Sequence, residues 1–226
     1  MTLGILFGKQ GELDDALRMG KQALRLFRRV HGDEHRNVAD ALVSVGGLLF
    51  KKGHFDGAMA KFEEARAMYV GLYGEEHETV AAVLGSMAKV LNAQGKGAEA
   101  PAMLQKSLDI MTRTIGTDCD PVVMSLLSLG SSYAQHGMLK EALVRYEEGL
   151  GTVRRIHPEK TVMEGRFLDG IGSVCLEQGR LEEALSWYQE AHRMYRKTLG
   201  PDCAEARAMS DKAAAVLRMQ SKVEDT

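Results

Sequence analysis

Glycine returns in this chain at one fixed interval: Gly11, Gly53, Gly95, Gly137 and Gly179 follow one another at steps of 42 residues. Sliding the sequence by the same step aligns Ala16, Ala58, Ala100, Ala142 and Ala184, then the small residues Ala23, Ala65, Ser107, Gly149 and Ala191. A third small column reads Gly4, Gly46, Ala88, Gly130 and Gly172. Three columns in one register define a repeated unit. A unit of this size cannot bury its apolar face alone and must stack on its neighbours.

Within each unit the apolar residues recur at helical spacing, as in Phe55, Ala58, Met59, Phe62, Ala65 and Met68, or Leu181, Ala184, Leu185, Tyr188, Ala191 and Met194. A shorter helical pattern such as Leu126, Leu129, Gly130 and Tyr133 precedes each punctuating glycine. The unit is therefore a helix A, a turn at the glycine and a longer helix B, with the glycine as the C-terminal cap of helix A. Aromatics make up only 6% of the chain and prolines number four, so residues suited to strands are scarce. The period is also six heptads, but a continuous coiled coil would not accept two helix-breaking turns per period, at Gly53 and near Gly74, then at Gly95 and Gly116. The patterns predict helices near 2–9, 13–30, 36–51, 55–71, 78–93, 98–114, 121–135, 139–155, 162–177, 181–198 and 204–219, and no strand.

Helix A ending in Gly130 and Tyr133, the turn at Gly137, then Glu141, Ala142 and Leu143 with a small residue seven positions later resembles the tetratricopeptide (TPR) repeat. The loop wording Leu199-Gly200-Pro201-Asp202 and Gly74-Glu75-Glu76-His77-Glu78-Thr79 is similar to the kinesin light chain type. The resemblance implies an all-α fold, a right-handed α–α superhelix of about five repeats (1–34, 35–76, 77–118, 119–160 and 161–202) in a single domain over 1–220. A capping helix at 203–220 and a tail at 221–226 complete it. Proteins of this type bind other proteins. The implied function is a scaffold or adaptor that holds a peptide or partner helix in a concave groove lined by helix A. The alternative is a self-assembly module that uses its ends or convex face.

Carrying the repeat register over places Ser44 and Lys51 in that groove, followed by Ser86, Lys89 and Asn92. Ser128, Ser131 and Gln135 continue the lining, and Asp169, Ser173 and Glu177 complete it. The asparagine pairs typical of kinesin light chain grooves are replaced by Val43-Ser44, Gly85-Ser86, Leu127-Ser128 and Asp169-Gly170, so no particular peptide carries over with the resemblance.

No catalytic constellation accompanies the repeats. Glu63 and Glu64, Glu147 and Glu148, and Glu182 and Glu183 are carboxylate pairs on helix B with no recurring histidine opposite them, which reads as a solvated face. His31 and His35 are separated by Gly32 and Asp33, which is no metal-ligand spacing. His35, His77, Cys119, Thr161 and Cys203 share one loop column and are expected to start each following helix A. Gly4 to Lys9 echoes a phosphate loop one residue short, with Gln10 at the Ser/Thr position. No enzyme, metal or cofactor is expected. Lys plus Arg total 29 against 31 Asp plus Glu, so neither nucleic acid nor a membrane surface is an expected partner. No apolar run approaches the roughly 20 residues that span a bilayer, and a cytoplasmic protein is expected.

The fourth repeat carries Gly149 and Gly151 inside helix B and Pro158 where its neighbours have glycine, so local softness is expected there. Trp187, beside Tyr188, reads either as a half-buried helix B position or as an interface anchor. At the N-terminal edge a helix A of only two turns would leave Leu17, Leu24 and Phe27 short of a partner, to be covered by upstream chain or by another copy. The alanine column makes a direct test. Ala142→Leu is expected to overpack the crossing of helices A and B and to cost roughly 1–3 kcal/mol, seen as a lowered melting temperature; an unchanged melt would show that the register is wrong.

Overall fold

A computed structural model of the chain describes the backbone of residues 2–224 and the side chains of residues 11–221. Its described residues form ten α-helices and no strand: α1 (Thr2–His31), α2 (Arg36–Lys51), α3 (Phe55–Tyr73), α4 (Glu78–Ala93), α5 (Ala100–Ile115), α6 (Asp120–Gln135), α7 (Leu139–Ile156), α8 (Val162–Glu177), α9 (Leu181–Leu199) and α10 (Ala204–Glu224). A single 3₁₀ turn, Gly97–Glu99, leads into α5, whose Pro101 sits in the first turn where a missing N–H is tolerated. The helices gather into two compact units, Met1–Ile115 and Gly116–Thr226. Within each, every helix packs on the next, and helix A also meets helix A, as α2 meets α4 and α6 meets α8.

The two predicted helices at 2–9 and 13–30 are one. Gly11 lies inside α1 and is not among the glycines with positive φ. A chain reversal there would have to be repaid by packing of a two-turn helix, whereas continuing the helix adds one hydrogen bond per residue fixed. At the other four positions the turn forms identically. Gly53, Gly95, Gly137 and Gly179 have φ of 77°, 68°, 71° and 76°. At Gly137 the glycine N–H donates to the Ala134 carbonyl at 3.0 Å and the Met138 N–H to the Tyr133 carbonyl at 3.0 Å. The equivalent pair recurs at each of the other three turns, which is the Schellman pattern that satisfies the orphan carbonyls of helix A.

At four of its five positions the loop column caps the next helix A with a side chain, as expected. His35 Nδ1 accepts from the Asn37 N–H at 3.1 Å, His77 Nδ1 from Thr79 at 3.3 Å, Thr161 Oγ1 from Glu164 at 3.2 Å and Cys203 Sγ from Ala206 at 3.4 Å. Cys119 holds the same place before α6 without a side-chain cap. His35 and His77 also stack on the residue four positions earlier, on His31 at 4.3 Å and on Tyr73 at 4.4 Å between ring centroids.

Helix A and helix B lock together through the third small column. A Cβ on Gly46 would lie 2.8 Å from the Phe62 ring, one on Gly130 2.7 Å from Tyr146, and one on Gly172 2.9 Å from Tyr188. Ala58, Ala142 and Ala184 are fully buried, as the alanine column requires. Gly149 does not interrupt α7, and the ring of Phe167 from α8 fills the place a Gly149 side chain would take. Phe167 and Tyr146 meet edge-on with centroids 6.3 Å apart. Leu17 and Leu24, expected to lack a partner, are buried, because α2 packs on α1. Phe27 is half-buried, and among the described side chains of α1 the exposed large apolar residues are Met19, Leu26 and Val30.

Gly137 separates backbone from packing effects, since an added Cβ there meets nothing within 4 Å. Gly137→Ala is therefore expected to cost about 1–2 kcal/mol from left-handed backbone strain alone, measured by urea unfolding. A cost near zero would mean that the turn does not depend on glycine.

Candidate peptide-binding face of helix A

In the first unit the face expected to bind is carried by α2 and α4. Burial of Val38, Leu42 and Val45 fixes the inward side of α2, and burial of Val80, Leu84 and Met87 that of α4, which turns Ser44, Lys51, Ser86 and Lys89 outward at helical spacing. The serine hydroxyls are spent on their own helices: Ser44 Oγ donates to the Asp40 carbonyl at 2.9 Å and Ser86 Oγ to the Ala82 carbonyl at 3.0 Å. Asn92 is half-buried near the end of α4. Lys51 and Lys89 are exposed and form no ion pair among the described residues, whereas the adjacent Lys52 is held by Asp14 of α1.

In the second unit the face is carried by α6 and α8, and its polar groups are largely claimed from within. Ser128 Oγ donates to the Met124 carbonyl at 2.9 Å. The hydroxyl of Tyr146 donates to Ser131 Oγ at 3.1 Å, and that of Tyr188 to Ser173 Oγ at 3.2 Å. These pairs are the same columns one repeat apart. Where helix B carries Phe62 the helix A position is Gly47, and where it carries Leu104 the position is Lys89. Ser131 and Ser173 are thus partners of ring hydroxyls before they are contacts for a ligand. Gln135 and Glu177 remain exposed at the ends of their helices.

Asp169 is also occupied. Lys212 of α10 pairs with it, reaches to 3.4 Å from Ser173 Oγ and lies 5.3 Å from the centre of the Tyr188 ring. Sequence reasoning missed this lysine, although subtracting one period places it with Ser44, Ser86, Ser128 and Gly170. Gly170, in turn, has no room for a side chain, since its Cβ would sit 2.7 Å from Tyr146. Trp187 is half-buried next to the Gly172 crossing.

Burial sets the chemistry of the tyrosines. It raises the Tyr146 and Tyr188 phenols above their ordinary value, with the serine hydrogen bond opposing and the Asp169 charge adding to the rise. Tyr195 is pushed up to about 12, first by burial and then by Asp169. Tyr69 is raised too, by burial and by its hydrogen bond to Asp40. Cys175 is fully buried, and burial raises its thiol. No helix among the described residues is long and apolar enough to cross a membrane.

The tetratricopeptide repeat family profile matches residues 1–69, 72–154 and 165–224. No curated protein matches the chain by sequence. Among solved structures, nearly identical TPR-like repeats of kinesin light chain type from Podosopora anserina superpose with a TM-score of 0.72 at 16% identity, covering 86% of this chain and 92% of that one. BtubC (BKLC) from P. vanneervenii gives 0.70 at 15% identity over 92% of both chains. A Rap protein complexed with competence and sporulation factor gives 0.61 at 13% identity, over 93% of this chain and 60% of its own. At these identities the likeness is one of fold.

The raised phenols make alkaline stability a readout of this packing. In the unfolded chain Tyr195 ionises near its ordinary 10.0, in the folded chain near about 12. Between those values the unfolded state sheds a proton that the native state keeps, so stability is intact below pH 10 and falls as pH rises toward 12. Urea midpoints measured across that window should fall for the native chain and fall less for Tyr195→Phe; parallel curves would show that this ring is not the titrating group.

Proposed function

Because this chain belongs to the tetratricopeptide repeat family, we propose that it is a non-catalytic protein-interaction scaffold whose helix A face holds an extended peptide or a partner helix. The observation that carries this reading is the contrast along that face. Its serines are bonded to their own helices or to tyrosines, and Asp169 is paired with Lys212, while Lys51 and Lys89 stand exposed without an ion pair among the described residues. Groups already satisfied contribute little on binding, since the ligand's hydrogen bond only replaces one in hand. Two uncommitted ammonium groups instead favour an acidic segment, which they steer and orient more than they tighten. A protein rather than nucleic-acid partner accords with the near balance of 29 basic and 31 acidic residues.

Fluorescence anisotropy with labelled acidic, neutral and basic peptides tests the reading. Lys51→Glu combined with Lys89→Glu is expected to weaken an acidic peptide roughly tenfold, taking each exposed charge at up to about 1 kcal/mol. Glu63→Lys, at an exposed helix B position, should leave it unchanged. Equal effects from both changes would argue against recognition by helix A. Proximity labelling in the native cell would then name the partner.

A further inference from the structure

The helices α1 and α10 each carry a face that is open here but covered elsewhere in the chain. By register α1 is a helix B from Leu13 onward. Its Leu26 shares a column with Met68, which is half-buried, and with Ile110, Thr152 and Met194, which are 0%, 5% and 1% exposed. Leu26 is 58% exposed. Ala16 and Ala23 are half-buried in columns that are otherwise fully buried through α3, α5, α7 and α9. What covers those columns in the other repeats is a helix A.

By register α10 is a helix A. Ala214 belongs to the column of Gly46, Ala88, Gly130 and Gly172, the positions at which helix B packs, yet Ala214 is exposed. A groove of about 500 Å³ opens there between α9 and α10, lined by Met209, Ala213, Ala214 and Leu217, with His192 and Arg193 at its edge. Leu217 is 51% exposed at its mouth. The groove occupies the place of a helix B.

We propose that two copies of this chain associate head to tail, with α1 of one molecule lying in the α9–α10 groove of the next as the helix B that completes the repeat begun by α10. The occupant is identified by register. One chain carries both halves of a repeat, and joining them continues the helix A to helix B packing already present inside it. Small residues on both sides, Ala16 and Ala23 on α1 and Ala213 and Ala214 on α10, let the axes approach as they do within the chain. Because the two faces differ, the contact is heterologous and a joined pair still offers one free face of each kind, one on each molecule, so association propagates unless a ring closes. This inference stands apart from the reading of the helix A face, and its test uses no peptide.

Sedimentation equilibrium of the whole chain across a wide concentration range is expected to show mass rising beyond a dimer. Leu26→Glu blocks the α1 face and Leu217→Glu blocks the groove, both at exposed positions, and circular dichroism melts establish that each variant folds. Each variant alone should be a monomer, and an equimolar mixture should give a one-to-one dimer and nothing larger, since only one pair of intact faces remains. Should Leu26→Glu fail to fold, Val30→Glu, also on the exposed side of α1, takes its place. A native chain monomeric up to its solubility limit, a Leu217→Glu variant that still dimerises through α1 against α1, or a mixture that stays monomeric would each overturn the proposal.

Discussion

Helix A and helix B of a unit approach so closely that one of them must give up its side chain at the crossing. Gly46 receives Phe62, Gly130 receives Tyr146 and Gly172 receives Tyr188, with an added Cβ in each case inside 3 Å of the ring. The remaining repeat has Ala88 at the small position and Leu104 at the large one, so the methyl gained on one helix is matched by the ring lost on the other. Volume is conserved across the pair rather than at either residue, as a close-packed interior demands. The same exchange operates between successive units where Phe167 fills the gap at Gly149. A glycine that lowers helix propensity is there the condition for burying an aromatic ring.

This crossing also decides what the outer face of helix A can offer. A tyrosine inserted at the small column carries its hydroxyl through to that face, and a buried phenol needs an acceptor. Ser131 and Ser173 supply it. Phe62 and Leu104 carry no hydroxyl and leave Gly47 and Lys89 in the equivalent places. Ser131 and Ser173 on the second unit's face are therefore internally satisfied, and Lys212 of α10 neutralises Asp169 beside them. The first unit keeps exposed lysines. A polar column that reads as one uniform binding surface divides by what lies beneath it.

The loops follow a parallel logic. Glu76 pairs with Arg113 at 2.8 Å, and one period later Asp118 pairs with Arg155 at 2.5 Å. Arg28 with Glu64 and Arg154 with Glu190 repeat an ion pair between successive B helices three periods apart. Exposed pairs of this kind contribute little to stability. Their recurrence shows that the register extends to the surface, whereas the hydrogen-bonded turns at Gly53, Gly95, Gly137 and Gly179 hold the chain direction.

Helix periodicity, the four working glycine turns and the caps at His35, His77, Thr161 and Cys203 were all legible in the bare sequence. Each rests on residues within one turn of one another, where backbone geometry and a single side chain settle the outcome. The alanine columns were legible too, because repetition exposes a steric constraint that one copy would hide. Gly11 misled for the converse reason. It carries the local mark of a turn, but a turn forms only where the helices on both sides have something to bury, and there the helix runs on. The pairing of Ser131 and Ser173 with tyrosine hydroxyls, the reach of Lys212 to Asp169 and the filling of Gly149 by Phe167 belonged to the tertiary structure alone, since each joins side chains 15 to 43 residues apart. Periodicity told which residues share a face; only packing brought a ring, a hydroxyl or a charge to them across the gap between helices.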